Sequence, residues 1–167
     1  MTILLILLWL ASILRAQEPS LLSKAIAVNL PDQLQAHFTQ TRHSPLLEEN
    51  LVSNGVVYLK APDKIRWELI SPVQKATVLS DDAAGRRFRL PTEKDFTFTT
   101  LSGEDLTLIL TPVRRDMKQL FVQLVVKLDP ESLLVRSVLM KNTDGGWTLL
   151  EFRDIRSDVK LDASLFE

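Results

Sequence analysis

Two histidines, His37 and His43, are the only imidazoles in the chain. Six residues apart on a strand, they would share a face, because side chains alternate with a period of two. Two imidazoles can start a metal site, but zinc needs three or four protein ligands. No nearby ligand and no His-Glu-x-x-His spacing completes the set. Structural or surface roles are therefore expected for both, and no metal site. The acidic pairs Glu48-Glu49 and Asp81-Asp82 are sequence neighbours. On strands such neighbours point to opposite faces, so they make poor acid–base dyads and read as solvated loops. The chain has no cysteine. That excludes disulfides, thiolate nucleophiles, Cys-based zinc sites and Fe–S clusters together. Neither a Gly-x-Ser-x-Gly elbow nor a phosphate-binding loop occurs, and the five glycines are scattered at turn-like places. No catalytic residue and no cofactor are expected. The chemistry that remains is that of apolar surface.

Composition agrees. Of 167 residues, 46% are hydrophobic and 25% charged, which suits one folded domain rather than a disordered chain. The formal net charge is −1. The only basic clusters are Arg86-Arg87-x-Arg89 and Arg114-Arg115, with no basic stripe of the kind a nucleic-acid binder shows. The N-terminal run Ile3 to Leu14 is almost continuously apolar. About 20 apolar residues are needed to cross a bilayer as a helix. This shorter run fits the core of a secretory signal peptide, with Leu14-Arg15-Ala16 before Gln17 as the cleavage region. The expected organisation is a leader over 1–16 and a single domain over 17–167. An uncleaved membrane anchor is the rival reading of the leader.

The elements that would carry the apolar surface are mostly strands. Leu21, Leu22, Ala25, Ile26 and Leu30 form a helical stripe after Ser20, which can cap it, and Pro31 interrupts the helix. Pro31 to Ala36 could add one more helical turn. From His37 to His43 the pattern alternates. Further strands are expected at Leu51–Lys60, Ile65–Ile70 and Ala76–Leu79, then more weakly at Arg87–Leu90 and Phe96–Thr100. Leu106–Leu110, Leu120–Leu128, Leu133–Met140 and Trp147–Phe152 complete the set. Arg114 to Gln119 reads as a short helix or a loop. Asp144-Gly145 between the last two strands is a strong hairpin signal, because glycine accepts a positive φ cheaply. Nine or ten strands after one helix imply a mostly β, α+β domain, built as a curved antiparallel sheet or incomplete barrel.

A curved sheet has a concave face. If apolar side chains line it and a helix covers it incompletely, a guest can bury its tail there. Each methylene so buried stabilises by about 0.8 kcal/mol. The other reading is that helix and sheet simply close a filled core.

Several stretches resemble one family. His37-Phe38-Thr39-Gln40-Thr41-Arg42 resembles the Phe-x-Gln opening strand of LolA-like lipoprotein carriers. The run Gly55 to Pro72 resembles the family's most specific segment, a glycine and strand, a Pro turn, then Arg66-Trp67 and a second Pro. Leu110-Thr111-Pro112, Asp144-Gly145, Phe152 to Ile155 and Leu161 to Phe166 are similar to its C-terminal half. The resemblance implies an open β-barrel lidded by helices in the periplasm. It also implies a cavity that shelters acyl chains of lipoproteins or another lipid during transfer toward the outer membrane. Implied partners are an acylated lipoprotein or other lipid, an inner-membrane donor and an outer-membrane acceptor, for a monomeric protein with no nucleic-acid partner. Candidate cavity residues are Phe38, Val56, Tyr58, Ile65, Trp67, Leu69, Leu108, Leu124 and Val126. In the family, the Arg of the Arg-Trp strand ties sheet to lid, which makes Arg66 the candidate latch. Only Val73 to Leu110 fills the family's longer middle section, so the lid is expected to shrink to the Leu21–Asn29 helix. A non-carrier interaction or sensor domain on the same fold is the alternative.

Overall fold

The computed structural model describes residues 32–60, 64–79, 96–101 and 106–167. The leader, the Leu21–Asn29 helix, the turn at Pro62 and the strand expected at Arg87–Leu90 lie outside these residues. Nine strands are described: β1 (Gln33–His43), β2 (Leu51–Lys60), β3 (Lys64–Ser71), β4 (Lys75–Leu79), β5 (Phe96–Leu101), β6 (Leu106–Pro112), β7 (Phe121–Leu128), β8 (Val135–Asn142) and β9 (Trp147–Arg156). A one-turn helix, α1 (Arg115–Lys118), joins β6 to β7, and a 3₁₀ turn (Ala163–Phe166) closes the chain.

All nine strands form one antiparallel sheet in the order β4-β3-β2-β1-β9-β8-β7-β6-β5. It consists of two meanders joined where β1 pairs with β9. The sheet is open and curved rather than closed, with β4 and β5 at its two ends. This is the mostly antiparallel, curved sheet expected from the strand count and short connections.

The register shows why one face becomes the core. Opposed partners share a face. Phe38 lies opposite Gly55 and Phe152, Val57 opposite Trp67, and Leu59 opposite Ile65. Across the second meander, Leu150 lies opposite Val138, Val138 opposite Val126, and Val126 opposite Leu108. These residues form a single buried cluster running from β3 to β6. Ala36, Phe38, Ile65, Leu108, Leu124 and Val126 are each no more than 2% exposed. Met117 pins α1 onto this cluster, and Phe96 stacks on Phe121 at 6.2 Å between ring centroids.

Gly55 makes one close packing feature possible. Phe38 stacks on Trp67 with centroids 3.8 Å apart and planes at 25°. To do so its ring crosses β2 above residue 55, where a Cβ would run into the ring and into the Glu68 carbonyl. Glycine is therefore needed for space rather than for conformation.

Three expectations are corrected or sharpened. The residues expected to form a helical turn before Ala36 are strand instead, since β1 starts at Gln33 and pairs with β2 as far as Lys60. A strand in mid-sheet has partners on both sides, and Leu34 and Ala36 both fall on the apolar face, so pairing overrides local propensity. The strand expected from Leu133 begins at Val135, because Asp129 organises a turn before it. Its carboxylate accepts from the Glu131 and Ser132 N–H groups and from Arg136, and Leu133 takes φ 57°. The hairpin at Asp144-Gly145 forms as expected, with Gly145 at φ 84°.

Candidate functional site

Define the upper end of the sheet as the end where β1 stops and β2 starts. The antiparallel order brings to this end the turn after β3, helix α1, and the turn between β8 and β9. On the apolar face there, the filled core gives way to an open groove of about 640 Å³. That lies within the range of roughly 300–1,000 Å³ typical of small-molecule pockets.

The groove has an apolar floor and a polar mouth. Trp67, Met140 and Thr148 are its buried floor residues, with Leu69 half-buried beside them. Met140 stands opposite Thr148 in the ladder, and Thr148 opposite Arg42, so the floor is continuous with the β1 wall. Gln40 and Arg42 of β1 and Lys75 and Thr77 of β4 form one side. Gln119 and Leu120 after α1, and Asn142 to Asp144 of the β8–β9 turn, form the other. Asp144 is engaged in its own turn, accepting from the Gly146 N–H at 2.9 Å. The buried Asn142 Oδ1 has no hydrogen-bond partner among the described residues.

The same end carries a rim of exposed apolar side chains. Leu46 is 93% exposed at the β1–β2 turn, with Leu47, Leu51 and Val52 around it. Val73 after β3 and Leu120 after α1 continue the rim. Among the described residues, Leu101 is the one large exposed hydrophobic at the opposite end. Such concentration is unusual for a surface facing only water.

The nine candidate lining residues separate into three groups. Trp67 and Leu69 line the groove. Phe38, Ile65, Leu108, Leu124 and Val126 share the same face but are buried in the core beneath and beyond it. Val56 and Tyr58 correct the expectation, because they lie on the opposite face. Val56 pairs with His37 and Glu68, and Tyr58 with Gln35 and Arg66, one register step from the inward Val57 and Trp67. Groove residues that sequence reasoning missed, notably Met140, Thr148 and Lys75, come from strands whose inward face the pattern alone does not reveal.

Arg66 is likewise on the opposite face, since Trp67 points inward. Its Nη1 donates to the Leu165 carbonyl at 3.1 Å and its Nε to Glu68 Oε2 at 2.9 Å. Among the described residues it therefore clasps the C-terminal 3₁₀ turn against β3, from the face opposite Trp67. The helix expected to form the lid lies outside the described residues. Leu161 N–H donates to Gln33 Oε1 at 2.5 Å on the same side. Leu161 and Phe166 are buried there, as is Val56, apart from the main cluster. Burial pushes the Tyr58 phenol above its ordinary value; Glu68 adds to the shift and Arg66 opposes it.

Neither histidine enters the groove. His43 Nδ1 is 2.9 Å from Asn50 Oδ1, and its ring stacks on Trp147 at 5.5 Å. Among the described residues no three His, Cys, Asp or Glu side chains gather as a metal site.

Comparison with known proteins gives the same picture. Residues 31–84, about a third of the chain, match the family model described as "Outer membrane lipoprotein carrier protein LolA". No curated protein matches the chain. A solved structure of MucB superposes with TM-score 0.56 at 12% identity, covering 87% of this chain and 60% of that one. The Pseudomonas aeruginosa MucA/MucB complex gives TM-score 0.54 at 12% identity, covering 81% and 55%. A LolA superfamily protein from Nitrosomonas europaea gives TM-score 0.43 at 13% identity, covering 93% and 96%. The chain thus spans little more than half the length of the MucB structures it matches.

Proposed function

We propose that this LolA-like chain is a periplasmic carrier domain, which shelters the acyl part of a lipoprotein or another lipid during transfer toward the outer membrane. The observation that supports this reading most is the groove over Trp67, Leu69 and Met140, which the described residues leave open beside a tightly packed core. Its physical basis is simple. Water in contact with an apolar floor is displaced by methylenes, each contributing about 0.8 kcal/mol. A few carbons of one chain suffice for several kcal/mol. The apolar rim at the same end gives the remainder of a tail, or a membrane surface, somewhere to rest. Binding, not catalysis, is the role proposed, and Arg66 acts on the far face as a clasp for the C-terminal turn.

The test is co-purification followed by competition. Protein expressed with its leader and taken from the periplasm should yield extractable lipid and bind a fluorescent fatty acid. Leu69→Glu places a charge in the groove at a half-buried position. It should weaken that binding by about tenfold, the equivalent of losing part of one buried leucine contact. Lipid-free protein that also ignores the fluorescent fatty acid would overturn the proposal.

A second reading is favoured by the MucB likeness. The solved MucA/MucB complex has this fold and holds a protein partner. On that reading the exposed rim of Leu46, Leu47 and Val73 receives a polypeptide rather than lipid. Charged substitutions at the rim would then abolish partner capture while leaving fatty-acid binding intact.

A further inference from the structure

The groove is not uniformly oily, and its polar groups have a pattern. Two side chains at its mouth are cationic, Arg42 on β1 and Lys75 on β4. Both are exposed, and neither has an ion-pair partner among the described residues. They stand on the inward face, three ladder steps apart, with Trp67 on the strand next to Lys75. Lys75 is level with Leu69, Gly55 and Phe38, so Arg42 stands four residues further along β1; with three strand spacings across, this is roughly 19 Å between backbones in a flat sheet, less in a curved one. Two long flexible side chains can therefore lean over the floor from both sides. Among the described residues one carboxylate lines the groove, Asp144, and it is already bonded to the Gly146 N–H. Across from the cations, the buried Asn142 Oδ1 lacks a donor among the described residues. A buried acceptor without a partner is uncommon in folded proteins and asks for one.

We infer that the groove selects amphiphiles with an anionic, phosphate-monoester type of headgroup, held between Arg42 and Lys75 with its tail on Trp67 and Met140. The inference rests on the carrier reading and narrows its cargo. A phosphate monoester supplies up to two negative charges for the two cations, and its monoanionic form, the minor one at neutral pH, keeps an O–H able to donate to Asn142 Oδ1. A quaternary ammonium head supplies neither and would meet two like charges.

The test compares dodecyl phosphate, dodecyl maltoside and dodecyltrimethylammonium, each below its micelle concentration, as competitors of a fluorescent fatty acid on the full chain. The tail is constant, so differences report the head. Dodecyl phosphate should bind about tenfold tighter than the maltoside, the scale expected for two exposed charge contacts, and the advantage should shrink with added salt. Arg42→Gln with Lys75→Gln should abolish the head-group preference, bringing dodecyl phosphate to the affinity that the maltoside has on the same variant. An unchanged thermal melt of the double variant would show that it is folded. Equal binding of all three competitors would overturn the inference and leave the carrier reading standing. No binding of any competitor or of the fatty acid would overturn both. Inorganic phosphate at matched concentration should not compete; if it displaced the probe as well as dodecyl phosphate does, a simple anion site would replace the amphiphile site.

Discussion

Gly55→Ala adds one methyl at the place where the Phe38 ring crosses β2, and it should destabilise the protein despite alanine's better strand entropy. In an open strand the exchange of glycine for alanine gains roughly 0.5–1 kcal/mol. Here the new Cβ meets two neighbours, the Phe38 ring and the Glu68 carbonyl. The ring is fully buried and stacked 3.8 Å from Trp67, so it has no empty volume to swing into. The carbonyl belongs to β3, whose ladder with β2 fixes it. Overpacking of this kind costs about 1–3 kcal/mol, and the backbone partner places this case toward the upper end. The net expectation is a loss of about 1–2 kcal/mol, read as a lower urea midpoint at unchanged slope. A double-mutant cycle separates the two contacts. In a Phe38→Leu background the ring is gone and the methyl meets the carbonyl alone, so Gly55→Ala should cost less there than in the parent chain. Because Trp67 floors the groove, Gly55→Ala should also weaken fatty-acid binding. A Gly55→Ala protein as stable as its parent would show that the ring does not lie over β2. The account of how Phe38 and Trp67 are held would then fail.

Arg66→Met removes the donor to the Leu165 carbonyl and should cost about 1 kcal/mol, while hydrogen exchange in the 3₁₀ turn at residues 163–166 quickens. Fatty-acid affinity should stay as it was, since Arg66 faces away from the groove; lost affinity would restore the idea that Arg66 latches a lid. For the turn after β7, the Ser132 N–H, followed by Arg136 and the Ser132 hydroxyl, lowers Asp129 from its ordinary 3.8 to about 2. A depressed folded value means the turn's contribution is complete above pH 4 and fades as the pH falls toward 2. The parent should therefore lose more stability than Asp129→Asn between pH 4 and pH 2 in acid titrations followed by circular dichroism, and parallel curves would contradict this.

Much of the strand map was legible because it depends on local pattern. Ile65, Trp67 and Leu69 alternate with Arg66, Glu68 and Ile70, and the sheet keeps that alternation. The Asp144-Gly145 turn was legible for the same reason, its chemistry lying within two residues. What could not be read was anything set by pairing between distant segments. That β1 joins β9, and so fuses two meanders into one sheet, leaves no mark in either strand alone. Residues 33–36 look helical by themselves and become strand because β2 and β9 flank them.

The same limit explains why the site was found only in part. Choosing Val56 and Tyr58 together with Trp67 amounts to choosing both faces of the sheet, and one step of register separates lining from backing. The Gly55–Phe38 contact breaks the tie. A glycine opposite a phenylalanine, one strand from a tryptophan, places all three on one face, which sends Val57 inward and Val56 outward. Once that face is fixed, Arg42 must point inward with Gln40 and Phe38, and Lys75 with Thr77 opposite Leu69 and Trp67. Two charges on the face that carries the apolar core are costly to keep beside it. They persist at the one end where the core stops and the groove opens to water. It follows that the groove's polarity is graded with depth, apolar at the floor and cationic at the exposed side-chain ends, since Arg42 shares a ladder row with Thr148 and Met140 and Lys75 shares one with Leu69. A guest with a tail and a charged head fits that gradient in only one direction, head outward. Reversing the gradient, with Arg42→Leu at the mouth and Leu69→Lys on the floor, should cost affinity for dodecyl phosphate beyond the sum of the two single changes.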